Sequence, residues 1–295
     1  MGDDLPRRTY PRLPEARVET AVRRVGPFTT HVAYRTAEGA EVEWSSRGHR
    51  KRSSLLSRPR ARERVWWAPH RASWWIGVLF AIGSTCFFLG PFPGMVELVG
   101  TGIDGLIFFV GSLFFTSAAA LQWLETVNAD DGPGRRRRRL RVVSLEPRRI
   151  DWWASGVQLV GTLLFNVNTF RALEAGLDAD AYDRLVWTPD VLGCVCFLVS
   201  SALAYAEVGG RRHRLEWRIA ALNLVGSVAF AISAIAAFWV PGEGSVVDLA
   251  VANGFTALGG LCFLVGAILL LPEGARAEGG GDPARTHETG TDSAP

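Results

Sequence analysis

Residues 71–90 read RASWWIGVLFAIGSTCFFLG, residues 149–168 read RIDWWASGVQLVGTLLFNVN, and residues 214–233 read RLEWRIAALNLVGSVAFAIS. All three begin with Arg, place Trp at offset 3, Gly at offset 12, Ser or Thr at 13 and Phe at 16. A second phrase, Phe-x-Val-Gly/Ser-Ser/Ala, follows each, at 108–112, 197–201 and 263–267. Two apolar runs per copy make the unit a helical hairpin, and the chain uses it three times.

A transmembrane helix needs roughly 20 predominantly apolar residues. Runs at 73–90, 105–124, 152–170, 191–208, 219–240 and 249–271 meet that description. A water-soluble fold would have to bury six long helices that have no polar face, which is not how soluble helices are patterned. The expected fold class is therefore an all-α membrane protein with six transmembrane helices arranged as three parallel helical-hairpin repeats. Each repeat has an even number of spans, so the copies insert the same way up, related by an axis along the membrane normal. The expected organisation is a cytoplasmic Arg-rich segment (1–70), repeat 1 (71–124), an Arg-rich linker (125–148), repeat 2 (149–208), repeat 3 (209–272) and a polar, disordered tail (273–295). Within the first segment, residues 29–35 and 40–45 are strand-like and predict a small β-hairpin, with the Pro- and Arg-rich sequence around them read as linker.

The net charge of +3 matters less than where it sits. Residues 47–71 hold nine Arg or Lys and residues 125–148 hold seven Arg, whereas residues 91–102 and 241–248 hold none. Basic loops stay in the cytoplasm, so both termini are expected there, in a multi-pass protein of the bacterial inner membrane. The first 70 residues lack the apolar core of a signal peptide, so helix 1 is expected to act as its own insertion signal. Paired tryptophans at 66–67, 74–75 and 152–153 suit the membrane interface, where an indole sits among headgroups.

Offsets 9, 12, 13 and 16 form one helical stripe. Its members are Phe80, Gly83, Ser84 and Phe87; Gln158, Gly161, Thr162 and Phe165; and Asn223, Gly226, Ser227 and Phe230. On the even helices Phe108, Gly111 and Ser112, then Phe197, Ser200 and Ser201, then Phe263, Gly266 and Ala267, share one face. Lipid provides no hydrophobic drive between helices, so small residues and interhelical hydrogen bonds hold them together. The notch residues Gly83, Ser84, Gly161, Thr162, Gly226, Ser227, Gly111, Ser112 and Gly266 are therefore expected to face one another in the bundle.

Intramembrane polar groups are costly and become candidates for function. Gln158 and Asn223 either bond across the seam or, with Asp104, line a path for a small solute. Glu125, Glu207 and Glu273 close the even helices and are expected to pair with neighbouring arginines. The run Arg135, Arg136, Arg137, Arg138 and Arg139 suits anionic lipid headgroups at the cytoplasmic face; nucleic acid is a weaker partner for it. All five histidines and none of the four cysteines lie outside the apolar runs. That argues against intramembrane haem ligation and against an aqueous zinc or disulfide site. No nucleophile elbow, P-loop or metalloprotease motif occurs, so no catalytic residue, metal or cofactor is assigned.

The Trp-Trp opening, Gly-Ser-x-x-Phe and the stretch 108–115 (FFVGSLFF) resemble the two-span YrhK-like domain of bacterial membrane proteins, most closely over residues 71–124. The resemblance implies a membrane hairpin and no activity. The function expected is a non-catalytic scaffold or accessory protein; the alternative is a transporter with its path past Gln158, Asn223 and Asp104.

Overall fold

The computed structural model describes residues 17–36, 39, 41–51, 66–92, 94–129, 140–174, 176–209, 214–240 and 243–279. The chain is mostly helical. A three-stranded antiparallel sheet, β1 (Arg17–Val25), β2 (Phe28–Thr36) and β3 (Glu41–Ser45), leads straight into a short helix, α1 (Ser46–Lys51). The long helices are α2 (Ala72–Leu89), α4 (Thr101–Val127), α5 (Ile150–Arg171), α7 (Thr188–Val208), α8 (Leu215–Ala236) and α9 (Leu249–Gly279). Between them lie α3 (Met95–Val99), α6 (Ala179–Tyr182) and a π-helical turn (Asp183–Trp187) that runs α6 into α7. A two-residue strand pair, β4 (Trp239–Val240) and β5 (Ser245–Val246), links α8 to α9.

Five segments, Ala72–Leu89, Thr101–Val127, Ala179–Val208, Leu215–Ala236 and Leu249–Glu273, are long and apolar enough to cross a membrane. They are compatible with a multi-pass integral membrane protein. α5, expected as a sixth apolar run, falls short on composition because Asp151, Gln158, Asn166 and Asn168 dilute it. One further expectation changes. The sequence before β2 is a strand, not a linker: Arg17, Glu19, Arg23 and Arg24 mask its pattern, but charges suit an edge strand paired on one side only. Gly26, at φ +52°, opens the two-residue turn that joins it to β2. At the start of α7 the Thr188 hydroxyl donates to Asp183 O at 2.7 Å across the π-helical turn.

The long helices form a closed ring. Each packs on its neighbour in sequence, and α9 returns to α2. Glycines set the spacing. A Cβ on Gly83 would lie 2.8 Å from Gly111 O, one on Gly161 3.2 Å from Gly193 O, and one on Gly259 3.1 Å from Gly226 O. Three cysteines serve the same crossings: the β-carbons of Cys86, Cys196 and Cys262 sit over Gly111, Gly161 and Gly226. Ring closure is tightest at Gly260, where a Cβ would meet Phe88 N at 2.6 Å and Phe87 C at 2.8 Å.

Six phenylalanines fill the axis of the ring in two layers. Phe87, Phe165 and Phe230, one from each of α2, α5 and α8, lie 6.1, 6.0 and 5.9 Å apart. Phe115, Phe197 and Phe263, from α4, α7 and α9, lie 6.3, 5.8 and 5.9 Å apart. Contacts of 5.5, 5.0 and 5.6 Å join the layers within each hairpin. The first hairpin thus uses Phe115 on the axis, seven residues beyond the Phe108 that sequence spacing pairs with Phe197 and Phe263. Phe108 sits further along, against Phe87 and Gly90.

A methyl at position 260 has only backbone to displace. Gly260→Ala is expected to cost about 1–3 kcal/mol, as overpacking does. Gly102→Ala, whose new methyl would meet nothing within 4 Å, should leave the thermal midpoint in detergent level or slightly higher. Equal midpoints for the two variants would show that α9 does not close on α2 by this contact.

Candidate functional site

The bundle end that bears the sheet concentrates the buried charge. α4, α7 and α9 finish there with Glu125, Glu207 and Glu273, each no more than 5% exposed. α2 and α5 begin there, preceded by the buried Arg71 and Arg149. Asp151, in the first turn of α5, is fully buried. Arg149 grips it with two bonds, Nε to Oδ1 at 3.1 Å and Nη2 to Oδ2 at 2.6 Å, and reaches Glu146 at 2.6 Å.

Helix α1 seats in this mouth. Ser46 Oγ donates to Glu207 Oε1. Arg47 donates twice to Glu273, at 2.8 and 3.2 Å. Burial opposes the charge on Arg47, but Glu273, with Glu207 and Glu216 behind it, outweighs burial and holds the guanidinium above its ordinary pKa. Arg50 is looser: its Nη1 stands 3.9 Å from Asp151 and 4.0 Å from Glu207, and its buried Nε has no hydrogen-bond partner among the described residues. Arg23 of β1 donates to Ala206 O at 3.1 Å and lies across Gly209, where any Cβ would overlap its guanidinium. Two of the glutamates, Glu207 and Glu273, receive bonds from α1, more than 150 residues away.

Beneath α1 lies a polar cavity of about 70 Å³, between Arg47, Arg50 and Glu207 above and Phe263 of the aromatic layers below. Gln158 and Asn223 both line it, as Gln122, Glu125 and Ser200 do. A water needs about 10–15 Å³ of such space and several polar partners, so the cavity has room for a few waters. Gln158 also bonds across the seam, accepting from Gln122 at 3.3 Å and Ser200 at 3.5 Å. Asp104 is not part of this site. It lies in the first turn of α4, 18 residues from Gln122, about 27 Å along the helix at 1.5 Å per residue. Its buried Oδ1 has no hydrogen-bond partner among the described residues.

The notch residues divide by role. Gly83, Gly111, Gly161 and Gly226 make the crossings, and Gly266 lies against the Asn223 amide, whose Oδ1 would be 2.7 Å from a Cβ there. Ser227 pairs with Ser201 at 2.7 Å, Ser112 with Thr169 at 3.0 Å, and Thr162 with Leu159 O of its own helix at 2.8 Å. Ser84 is fully buried and its hydroxyl has no partner among the described residues. Arg135, Arg136, Arg137, Arg138 and Arg139 lie outside the described residues. Sequence reasoning read Arg47 and Arg50 only as topological charge and missed their seat. The four acids gathered here, Glu125, Asp151, Glu207 and Glu273, lie on four different helices, so nothing local in the sequence ties them to residues 46–50.

No protein-family model matches the chain, and neither a curated protein nor a solved structure is detectably similar to it.

Removing one member of a buried ion pair costs about 3–5 kcal/mol, because the other is left uncompensated. Asp151→Asn, which strips Arg149 and Arg50 of a shared anion, is expected to lower thermal stability by that order. Glu174→Gln breaks only the exposed pair with Arg171, whose side chains are 39% and 42% exposed, and should cost under about 1 kcal/mol. Thermal unfolding in detergent measures both, and similar losses would show that the mouth is solvated.

Proposed function

We propose that the chain is a six-span protein of the bacterial inner membrane, with both termini cytoplasmic, that serves as a sealed, non-catalytic scaffold. Its three hairpins are read as parallel repeats around one axis. The observation that carries the sealed reading is the double layer of phenylalanines across that axis, with α1 seated over the polar cavity beneath it.

Support for α5 as the sixth span comes from its faces rather than its average. Its large exposed apolar side chains, Trp153, Val160, Leu163, Val167 and Phe170, line the outside. Its polar side chains turn to neighbours: Gln158 meets Gln122, Asn166 accepts from Thr116 at 3.1 Å, Thr169 meets Ser112, and Asn168 donates to Asp190 at 2.6 Å. Polar inside and apolar outside is the arrangement that lipid selects. The repeat reading is supported by the helix starts. Trp74 donates to the carbonyl eight residues back and Trp75 to the one six back, and Trp152 and Trp153 repeat both bonds. The orientation rests on the arginines gathered at the α1 end, and the run 135–139 fits anionic headgroups there.

The transport alternative draws on Gln158 and Asn223 sharing a cavity. Single cysteines separate the two readings. In a background with Cys86, Cys194, Cys196 and Cys262 replaced by alanine, Gln158→Cys and Asn223→Cys are expected to resist a membrane-impermeant maleimide in intact cells and in inverted vesicles, and to react after denaturation. Reaction at both positions from the outer face would replace the scaffold with a solute path. An alkaline phosphatase fusion within residues 173–178 should be active and one after residue 139 inactive; the reverse pattern would overturn the orientation.

A further inference from the structure

The loop that leads into α5 carries a surface that the scaffold reading leaves unused. Residues 140–148 read LRVVSLEPR. Leu140, Val142, Val143 and Leu145 are 58%, 64%, 77% and 82% exposed. The loop is held firmly in that outward pose. Asn128 clamps Arg141 by two bonds, Nδ2 to Arg141 O at 2.7 Å and Arg141 N to Oδ1 at 2.8 Å. Three indoles hold the rest: Trp123 donates to Val142 O at 2.8 Å, Trp152 to Ser144 O at 2.7 Å and Trp153 to Pro147 O at 3.0 Å. A loop tied down this way while displaying four aliphatic side chains is built to meet an apolar phase.

The same indoles wall a groove of about 460 Å³ that runs over α5 to Cys196 of α7. Trp152 stands 5.7 Å from Trp123 and 4.9 Å from Trp153, ring centre to ring centre. Their N–H groups are all spent on loop carbonyls, so they offer the groove carbon faces only. Gly156 keeps it open, since a Cβ there would come 3.1 Å from Trp123 Cζ3. At the α9–α2 seam, by contrast, Leu271 fills the space over Gly77, 2.9 Å from where a Cβ would stand. The loop held by these indoles carries two arginines, Arg141 and Arg148, both at exposed positions.

We propose that this loop and groove form a binding site for one anionic phospholipid: an acyl chain lies along Gly156 between the indoles, and the phosphate meets the cations of the loop. An apolar slot beside a loop with two arginines, at the depth of a tryptophan belt, matches an anionic lipid and mismatches a neutral one. The proposal rests on the membrane reading above.

Native mass spectrometry of the full chain in detergent tests it, titrating phosphatidylglycerol and phosphatidylcholine with identical acyl chains. Wild-type protein is expected to hold phosphatidylglycerol about fivefold or more tighter, the scale of one cation near an anionic surface. Arg141→Gln with Arg148→Gln should abolish that preference. Gly156→Leu, which fills the slot, should weaken retention of both lipids about fivefold or more. Unchanged phosphatidylglycerol binding in both variants would overturn the site. Should Gly156→Leu fail to fold, the double Gln variant decides, because it alters only exposed loop positions. Alkaline carbonate extraction separates the two levels. Wild-type protein released to the supernatant overturns the membrane reading, whereas membrane-retained protein with unaltered lipid binding overturns the lipid site alone.

Discussion

Six phenylalanine rings on the axis fix the rest of this fold. Rings 5.8–6.3 Å apart within each layer pack the axis, and such ring contacts add about 0.5–1.5 kcal/mol per pair beyond burial. Such a plug forms only if all six backbones stand close to one another. That is what the glycines supply: Gly83, Gly161 and Gly226 let the partner helix approach near enough for its own phenylalanine to reach the centre. Small residue at the crossing and large residue on the axis are two halves of one packing solution. A third consequence follows at the ring's closure, where Gly260 rests on the backbone of α2.

Polar residues take the positions the rings leave over. The seam between α4 and α5 is a ladder of Gln122–Gln158, Thr116–Asn166 and Ser112–Thr169. Gln158, Thr162, Asn166 and Thr169 follow at spacings of four, four and three, one stripe of a helix. α5 therefore reads as too polar on average while showing lipid-compatible side chains on its outer face. Averaged hydropathy weighs every residue equally, but a bilayer meets only the exposed ones. Ser84 stands apart: among the described residues its fully buried hydroxyl has no counterpart to the cross-seam partner that Ser227 has in Ser201.

How far the sequence foretold this differs by element. The stripe Gly-Ser/Thr-x-x-Phe on the odd helices was legible because helical spacing alone places it, and the odd-helix phenylalanines do reach the axis. The even helix of the first hairpin was misaligned, because Phe108 and Phe115 both open plausible phrases seven residues apart, and seven residues return to the same helix face. Only the distance back from the terminal acid separates them. Glu125, Glu207 and Glu273 each lie ten residues beyond the axial phenylalanine, and that count would have chosen Phe115. β1 was lost to its charges. The seat of α1 was not legible at all, because a contact between residues 46–50 and residues 207 and 273 leaves no local pattern.

That distant contact nonetheless follows from electrostatics once the helix ends are known. Glu125, Asp151, Glu207 and Glu273 are all buried at one end of the bundle, and an unpaired buried carboxylate is too costly to keep ionised. Arg149 serves Asp151 from beside it in sequence. The chain brings in Ser46, Arg47 and Arg50 on α1, and the sheet behind α1 holds it there through Thr30, whose carbonyl accepts from Ser46, and Arg23 on Ala206. The N-terminal segment is thus part of the bundle's charge balance. Detaching it would remove the Ser46 bond from Glu207 and both Arg47 bonds from Glu273, and open the cavity that Gln158 and Asn223 line. In this sense the arrangement of the mouth follows from the need to pair its own acids, and that of the axis below it from the packing of the phenylalanine layers.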